Sequence, residues 1–347
     1  MSQEPPTKKR KVVDAPEAVE AASEQITKLT EELPSLPFAY QYRGGKFFYV
    51  RKCYERYYEL VKKMLDGGKP WVTVTGTPGI GKSVFYAYFF NRLREREPNT
   101  WIIAISFWME AIKEIIVYKG RGDPGTIERK KNAIDMVLEE AHANKKKLIF
   151  LCDGPPTKVW SSSKMVVFTS PNEKWLRAVR KTYSTLFMPL WTFEELREAT
   201  LALSLAGPSG VKCISDDDLE TRFNTFGGVA RECLSLDEVV VDLAKDYIID
   251  EIKTINSLGK LRSVLKGVHD GVDWHCLFYY FPVDVNGMIR DWKLASPFVV
   301  ERLAERMLQV TRNDKEAIRA SIEDIPRGAP LAEWLDAHEG LGGAQSS

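Results

Sequence analysis

Gly76, Thr77, Pro78, Gly79, Ile80, Gly81, Lys82 and Ser83 fill every fixed position of the pattern G-x-x-x-x-G-K-[ST]. The β-branched run Trp71 to Thr75 precedes them and the apolar run Val84 to Phe90 follows, so the pattern sits between a predicted strand and a predicted helix. In that setting the backbone wraps an anion, with successive N–H groups and the positive end of the helix facing the β- and γ-phosphates of a nucleotide. Lys82 is expected to bring a point charge to those phosphates, and Ser83 a hydroxyl ligand to Mg²⁺. The bland alternative is a glycine-rich turn that merely joins a strand to a helix.

Further runs place the loop in a sheet. Trp101 to Phe107, Leu148 to Cys152, Met165 to Thr169 and Ser184 to Phe187 are short, apolar or β-branched, and bounded by polar or turn residues. With the strand before the loop they make five strands, with helices between them: an α/β class fold, a P-loop NTPase with a parallel sheet and helices on both faces. Gly120 to Gly125 is expected to break the second crossover as an exposed loop. Arg51 to Leu65 carries an apolar helical stripe, read as packing against this core and ended by Gly67 and Gly68. Beyond Pro189 helices dominate. Thr192 to Glu195 is a capping box, Ser215 caps a second helix, and Gly207-Pro208 and Gly227-Gly228 are stops.

Residues 1–36 are rich in Pro, Glu, Ala, Ser and Lys, and are expected to stay disordered apart from a transient helix over Ala15 to Leu33. Within them Lys8, Lys9, Arg10 and Lys11 look like the monopartite nuclear import signal of polyomavirus large T antigen, which suits the acidic groove of a nuclear import receptor. A solvated charge run or a weak nucleic-acid-binding arm is the alternative. The chain divides into this arm, a P-loop core (residues 37–190), a helical lid (191–265), a small α+β region (266–325) and a C-terminal helix with a flexible tail (326–347).

The 347 residues carry 49 basic and 48 acidic side chains, so a net charge of +1 announces no global nucleic-acid footprint, and DNA contact would need a local patch. No apolar run is long enough for a membrane span, and the polar N-terminus predicts no export leader. Five cysteines without C-x-x-C spacing point to reduced thiols and a nuclear or cytosolic setting, and the four histidines show no ligand spacing.

Asp153 ends a buried strand where a Walker B carboxylate would hold the Mg²⁺ water shell. The next position, where many hydrolysing relatives carry a second carboxylate, is Gly154. Either hydrolysis is slow, or the base comes from elsewhere, or the protein mainly binds and switches. Glu139 and Glu140 lie one helix earlier with nothing to aim them. Thr169 or Ser170, at the end of the neighbouring strand, can sense a γ-phosphate or cap the turn before Pro171. Arg177, Arg180 and Lys181 read as a solvated basic face rather than an arginine finger. Arg231, after Gly227-Gly228, either reaches back to the phosphates or makes a structural ion pair. No Asn-Lys-x-Asp base reader is present, which leaves ATP as the default nucleotide.

Six segments occur in the order seen in a known family: Phe48 to Tyr54, Gly76 to Ser83, Thr169 to Asn172, Met188 to Leu196, Phe226 to Arg231, and Leu294 to Val299. The chain resembles, over about Phe38 to Gln309, the P-loop ATPase module of Crinkler effectors of oomycetes and fungi and of trypanosomatid retrotransposon hot spot (RHS) proteins. The resemblance implies an AAA+/STAND-like ATPase, often joined to a nuclease or kinase domain, with some members acting in a host nucleus. The chain departs from the full pattern. It has no recognisable ubiquitin-like translocation header, the basic arm stands in its place, and too few residues follow Val310 for a nuclease domain.

Overall fold

The strand that feeds the phosphate loop lies inside a seven-stranded sheet in the computed structural model, which describes residues 29–40, 45–109, 111–129, 132–160, 163–205, 213–267 and 275–338. The Lys8 to Lys11 cluster, Gly207-Pro208, His269 and the residues after His338 lie outside the described residues. In chain order the first half contains β1 (Thr30–Glu32), β2 (Phe47–Tyr49), α1 (Tyr54–Asp66), β3 (Trp71–Thr75), α2 (Lys82–Arg96), β4 (Trp101–Trp108), β5 (Ala111–Tyr118) and β6 (Thr126–Glu128). There follow α3 (Ala133–Ala143), β7 (Leu148–Asp153), β8 (Lys164–Phe168), α4 (Glu173–Val179) and β9 (Thr185–Phe187).

The strand order is β6-β5-β4-β7-β8-β3-β9. The five strands read from the sequence, β4, β7, β8, β3 and β9, run parallel, and β8 is inserted between the loop strand β3 and the Asp153 strand β7. Side chains alternate between faces with the period of two that a strand imposes. Ile149 and Leu151 join the core beneath α2, while Leu148, Phe150 and Cys152 join a second core with Ile134, Val137 and Ala141 of α3. Helix α2 is apolar nearly all round, with Phe85, Tyr86, Ala87, Tyr88, Phe89, Phe90 and Leu93 buried, as a helix covered on every side requires.

Two expectations change. The Gly120 to Gly125 loop does not break a helical crossover: the chain from Ala111 forms an antiparallel hairpin, β5 pairing with β4 and β6 with β5. The β-branched run Ile115, Ile116 and Val117 buries against the sheet and extends it to seven strands. The arm also ends earlier than residue 36. Thr30–Glu32 is a strand paired antiparallel to β2, not the end of a helix, because Leu29, Leu33 and Leu36 pack on the core and anchor a segment that is otherwise polar.

The second half is α5 (Phe193–Ala202), α6 (Asp216–Phe226), α7 (Ala230–Cys233), α8 (Glu238–Lys253), α9 (Leu258–Leu265), the hairpin β10 (Phe278–Pro282) and β11 (Arg290–Leu294), then α10 (Pro297–Thr311), α11 (Lys315–Ile322) and α12 (Ala329–Ala337). Thr192 and Ser215 both close capping boxes. Helix α10 packs against α6, α8, α11 and α12, so the helices before and after the hairpin share one core.

Candidate functional site

Strand β3 ends at Thr75, the chain turns through Gly76 to Gly81, and α2 begins at Lys82, so Ser83 and Lys82 occupy the first turn of a buried helix. Gly79 has φ +83°, and a Cβ there would stand 2.5 Å from Val229 Cγ1, so no side chain fits. Ile80 is fully buried. Lys82 Nζ donates to the carbonyls of Gly76 at 3.0 Å and Thr77 at 2.8 Å. Its pKa is pushed down to about 7, first by burial and then by the charge of Arg231, with Asp153 opposing. Ser83 Oγ donates to Asp153 Oδ1 at 2.8 Å. The carboxylate itself is only 3% exposed, and burial pushes its pKa up against the amide of Ala39, the Ser83 hydroxyl and the Lys82 charge.

A hydroxyl and a carboxylate this close at a helix N-terminus form the oxygen donor set that Mg²⁺ takes in phosphate sites. The loop glycines supply the backbone cradle, and the desolvated ammonium favours an anion beside it. These residues fit Mg-nucleotide.

The remaining sequence candidates divide. Thr169 is buried at the end of β8; its N–H donates to Val74 O, and its hydroxyl donates to the adjacent Ser170 carbonyl at 2.9 Å. Arg231 lies in the first turn of α7, its N–H donating to Gly79 O at 3.1 Å. The Arg231 side chain is exposed, makes no ion pair among the described residues, and is near enough to Lys82 to depress its pKa. Neither Glu139 nor Glu140 is aimed at the loop: both are exposed, and Glu140 pairs with Lys119. Arg177 is exposed and pairs with Glu173, while Arg180 and Lys181 are exposed.

Gly154 has φ +102°, and a Cβ there would stand 3.0 Å from Phe107 Cβ and 3.2 Å from Phe107 O. The missing second carboxylate is therefore more than a substitution. The backbone at this position is shaped for glycine and β4 closes the space above it.

Several contacts escaped the sequence. Ala39 N–H donates to Asp153 Oδ2 at 2.8 Å, and Lys113 Nζ holds the carbonyls of Phe38 and Ala39, so a strap before β2 reaches the Walker B carboxylate. A backbone amide leaves no side-chain signal. Trp191 Nε1 donates to Ile80 O at 2.9 Å, Tyr54 OH to Gly81 O at 3.4 Å, and Thr77 Oγ1 accepts from Tyr280 N at 3.0 Å. Glu232 turns inward beside Gly79 with one carboxylate oxygen buried and without a hydrogen-bond partner. Burial raises its pKa, with Arg231 opposing. The pairing of an aromatic run near Tyr54 with a lone Trp191 was the signal available for the first two.

No family model matches the chain, and no curated protein matches it. Among solved structures the chain is similar to a Walker-type ATPase of Pyrococcus abyssi, at 10% identity and a TM-score of 0.39, over 72% of this chain and 95% of that one. It is also similar to a chain in the structure of Drosophila ORC bound to DNA, at 14% identity and a TM-score of 0.34, over 99% of this chain and 85% of that one.

Proposed function

We propose that this chain is a nuclear, ATP-binding P-loop NTPase of the Crinkler and RHS kind, which hydrolyses ATP slowly with Mg²⁺ and uses its nucleotide state to control contact with nucleic acid or chromatin partners. The observation that carries the catalytic half is the 2.8 Å hydrogen bond from Ser83 to Asp153 at the mouth of the loop. Ser83 and Asp153 would hold the Mg²⁺, directly or through its water, and Lys82 with the loop amides would hold the β- and γ-phosphates. When bound, the ion supplies charge neutralisation on the phosphate oxygens. Arg231 is the nearest further cation, and its backbone is tied to Gly79.

A second reading, a nucleotide-bound interaction module without significant hydrolysis, is favoured by Gly154, whose conformation and contact with Phe107 leave no room for a water-orienting carboxylate. Phosphate release, measured with and without DNA, separates the two. Slow turnover in the wild type that disappears in Asp153→Ala supports hydrolysis at this site. A wild type indistinguishable from that variant rejects it in favour of the second reading.

The nuclear half rests on Lys8, Lys9, Arg10 and Lys11 as a ligand for an import receptor. Among the described residues no helix is long and apolar enough to cross a membrane. The full chain fused to a fluorescent protein is expected to accumulate in nuclei, and to spread evenly once those four residues are alanine. An unchanged nuclear signal in the variant would sink this half.

A further inference from the structure

Helix α8 has two apolar faces, and only one of them is used by the fold. Val241, Ile248 and Ile252 point into the core. On the opposite side Val239, Val240, Leu243 and Tyr247 are 66%, 45%, 63% and 54% exposed, and Leu236 just before the helix continues the line. Leu236, Val240, Leu243 and Tyr247 are spaced four, three and four residues apart, the spacing of a seam that another helix fills. Scattered exposed apolar residues are ordinary, whereas a contiguous stripe with helical spacing marks a contact surface.

The charge beside the stripe selects the occupant. Asp242, Asp246 and Asp250 follow each other at four-residue intervals along one flank, all exposed. Asp250 is paired with Lys253, but Asp242 and Asp246 make no ion pair among the described residues. Such a row repels nucleic acid phosphates, and two copies of the face would bring like charges together. It attracts a helix that carries leucine-like side chains on one face and lysine or arginine beside them. We propose that the outer face of α8 is a docking surface for a basic amphipathic helix of a partner protein. The assignment stands on this face alone and does not need the nucleotide reading.

The test uses the full chain and two synthetic peptides in a fluorescence anisotropy titration: a helix with leucine along one face and lysine beside it, and the same peptide with glutamate for lysine. The lysine peptide is expected to bind, with the glutamate peptide weaker by about tenfold or more. Leu243→Lys should weaken the lysine peptide by a similar factor. Asp242→Lys combined with Asp246→Lys should reverse the preference. All three positions are exposed, so circular dichroism should show wild-type folding in each variant. Equal affinity for both peptides, or affinity untouched by the variants, would overturn the proposal. So would dimerisation of the chain that Leu243→Lys abolishes, oligonucleotide binding that it abolishes, or peptide binding that emerges only after residues 1–28 are deleted, which would assign the face to the chain's own basic arm.

Discussion

Lys82→Ala is expected to weaken ATP binding or turnover by about 10²–10³-fold, the loss that follows removal of one preorganised charge from a water-excluded phosphate site. The side chain is 7% exposed, and its ammonium is held only by the Gly76 and Thr77 carbonyls. Two neutral acceptors do not replace a hydration shell, which is why burial, aided by Arg231, brings the pKa down to about 7. Phosphate oxygens supply the negative charge that this position lacks, so binding raises the pKa again. The sign of the pH dependence follows. Above about pH 7 the nucleotide-free site has lost its proton and binding must take one up, so affinity falls with rising pH, by up to about tenfold per unit. Without nucleotide, between about pH 7 and the ordinary lysine range, the unfolded chain holds a proton here that the folded chain does not, so this site makes stability rise with pH there. Isothermal calorimetry in two buffers of different ionisation enthalpy reads the proton directly. Lys82→Arg, which keeps its charge throughout, should flatten the profile. Proton release, or a profile unchanged in that variant, would contradict the assignment.

What the sequence displayed and what it hid divide along the range of the interactions. Strand β3, the loop and α2 are contiguous, and each piece announces itself through β-branched residues, glycines or an apolar helix, so the phosphate site was legible. Asp153 was legible too, because a fully buried strand ending in an acid is rare without a reason. The hairpin of β5 and β6 was not, since an edge strand is decided by whether a neighbour offers a ladder, and β4 lies only two residues away. Nor was the strap. Its grip on Asp153 is the amide of Ala39, 114 residues distant in sequence and identical in kind to any other amide. Gly154 stood between the two cases: the absent carboxylate could be read, but its cause, Phe107 pressing on a left-handed backbone, could not.

Arg51→Met is expected to destabilise the fold by about 3–5 kcal/mol, the loss typical of a buried ion pair broken from one side. The guanidinium is 1% exposed and has every partner within the protein. Nη2 donates to Glu195 Oε2 at 2.9 Å and to Leu190 O at 2.8 Å, Nη1 to Pro189 O at 2.9 Å, and Nε to Glu195 Oε1 at 3.3 Å. Methionine fills much of the same volume but leaves Glu195 charged in a buried site and two carbonyls without a donor. The damage should extend to the phosphate loop. Arg51 lies 4.6 Å from the centre of the Trp191 ring, whose Nε1 holds Ile80 O, and Trp191 N–H in turn donates to Gly228 O just before Arg231. Arg51→Met should therefore lower the urea midpoint and, under native conditions, weaken nucleotide binding as well. Arg51→Lys should not restore either, because one ammonium cannot span the carboxylate and both carbonyls in the planar fork that arginine provides. Combining Arg51→Met with Glu195→Gln removes the stranded charge and should recover part of the stability. Full additivity of the two losses would mean that Arg51 and Glu195 act independently, and that the ion pair does not join the start of α1 to the phosphate loop.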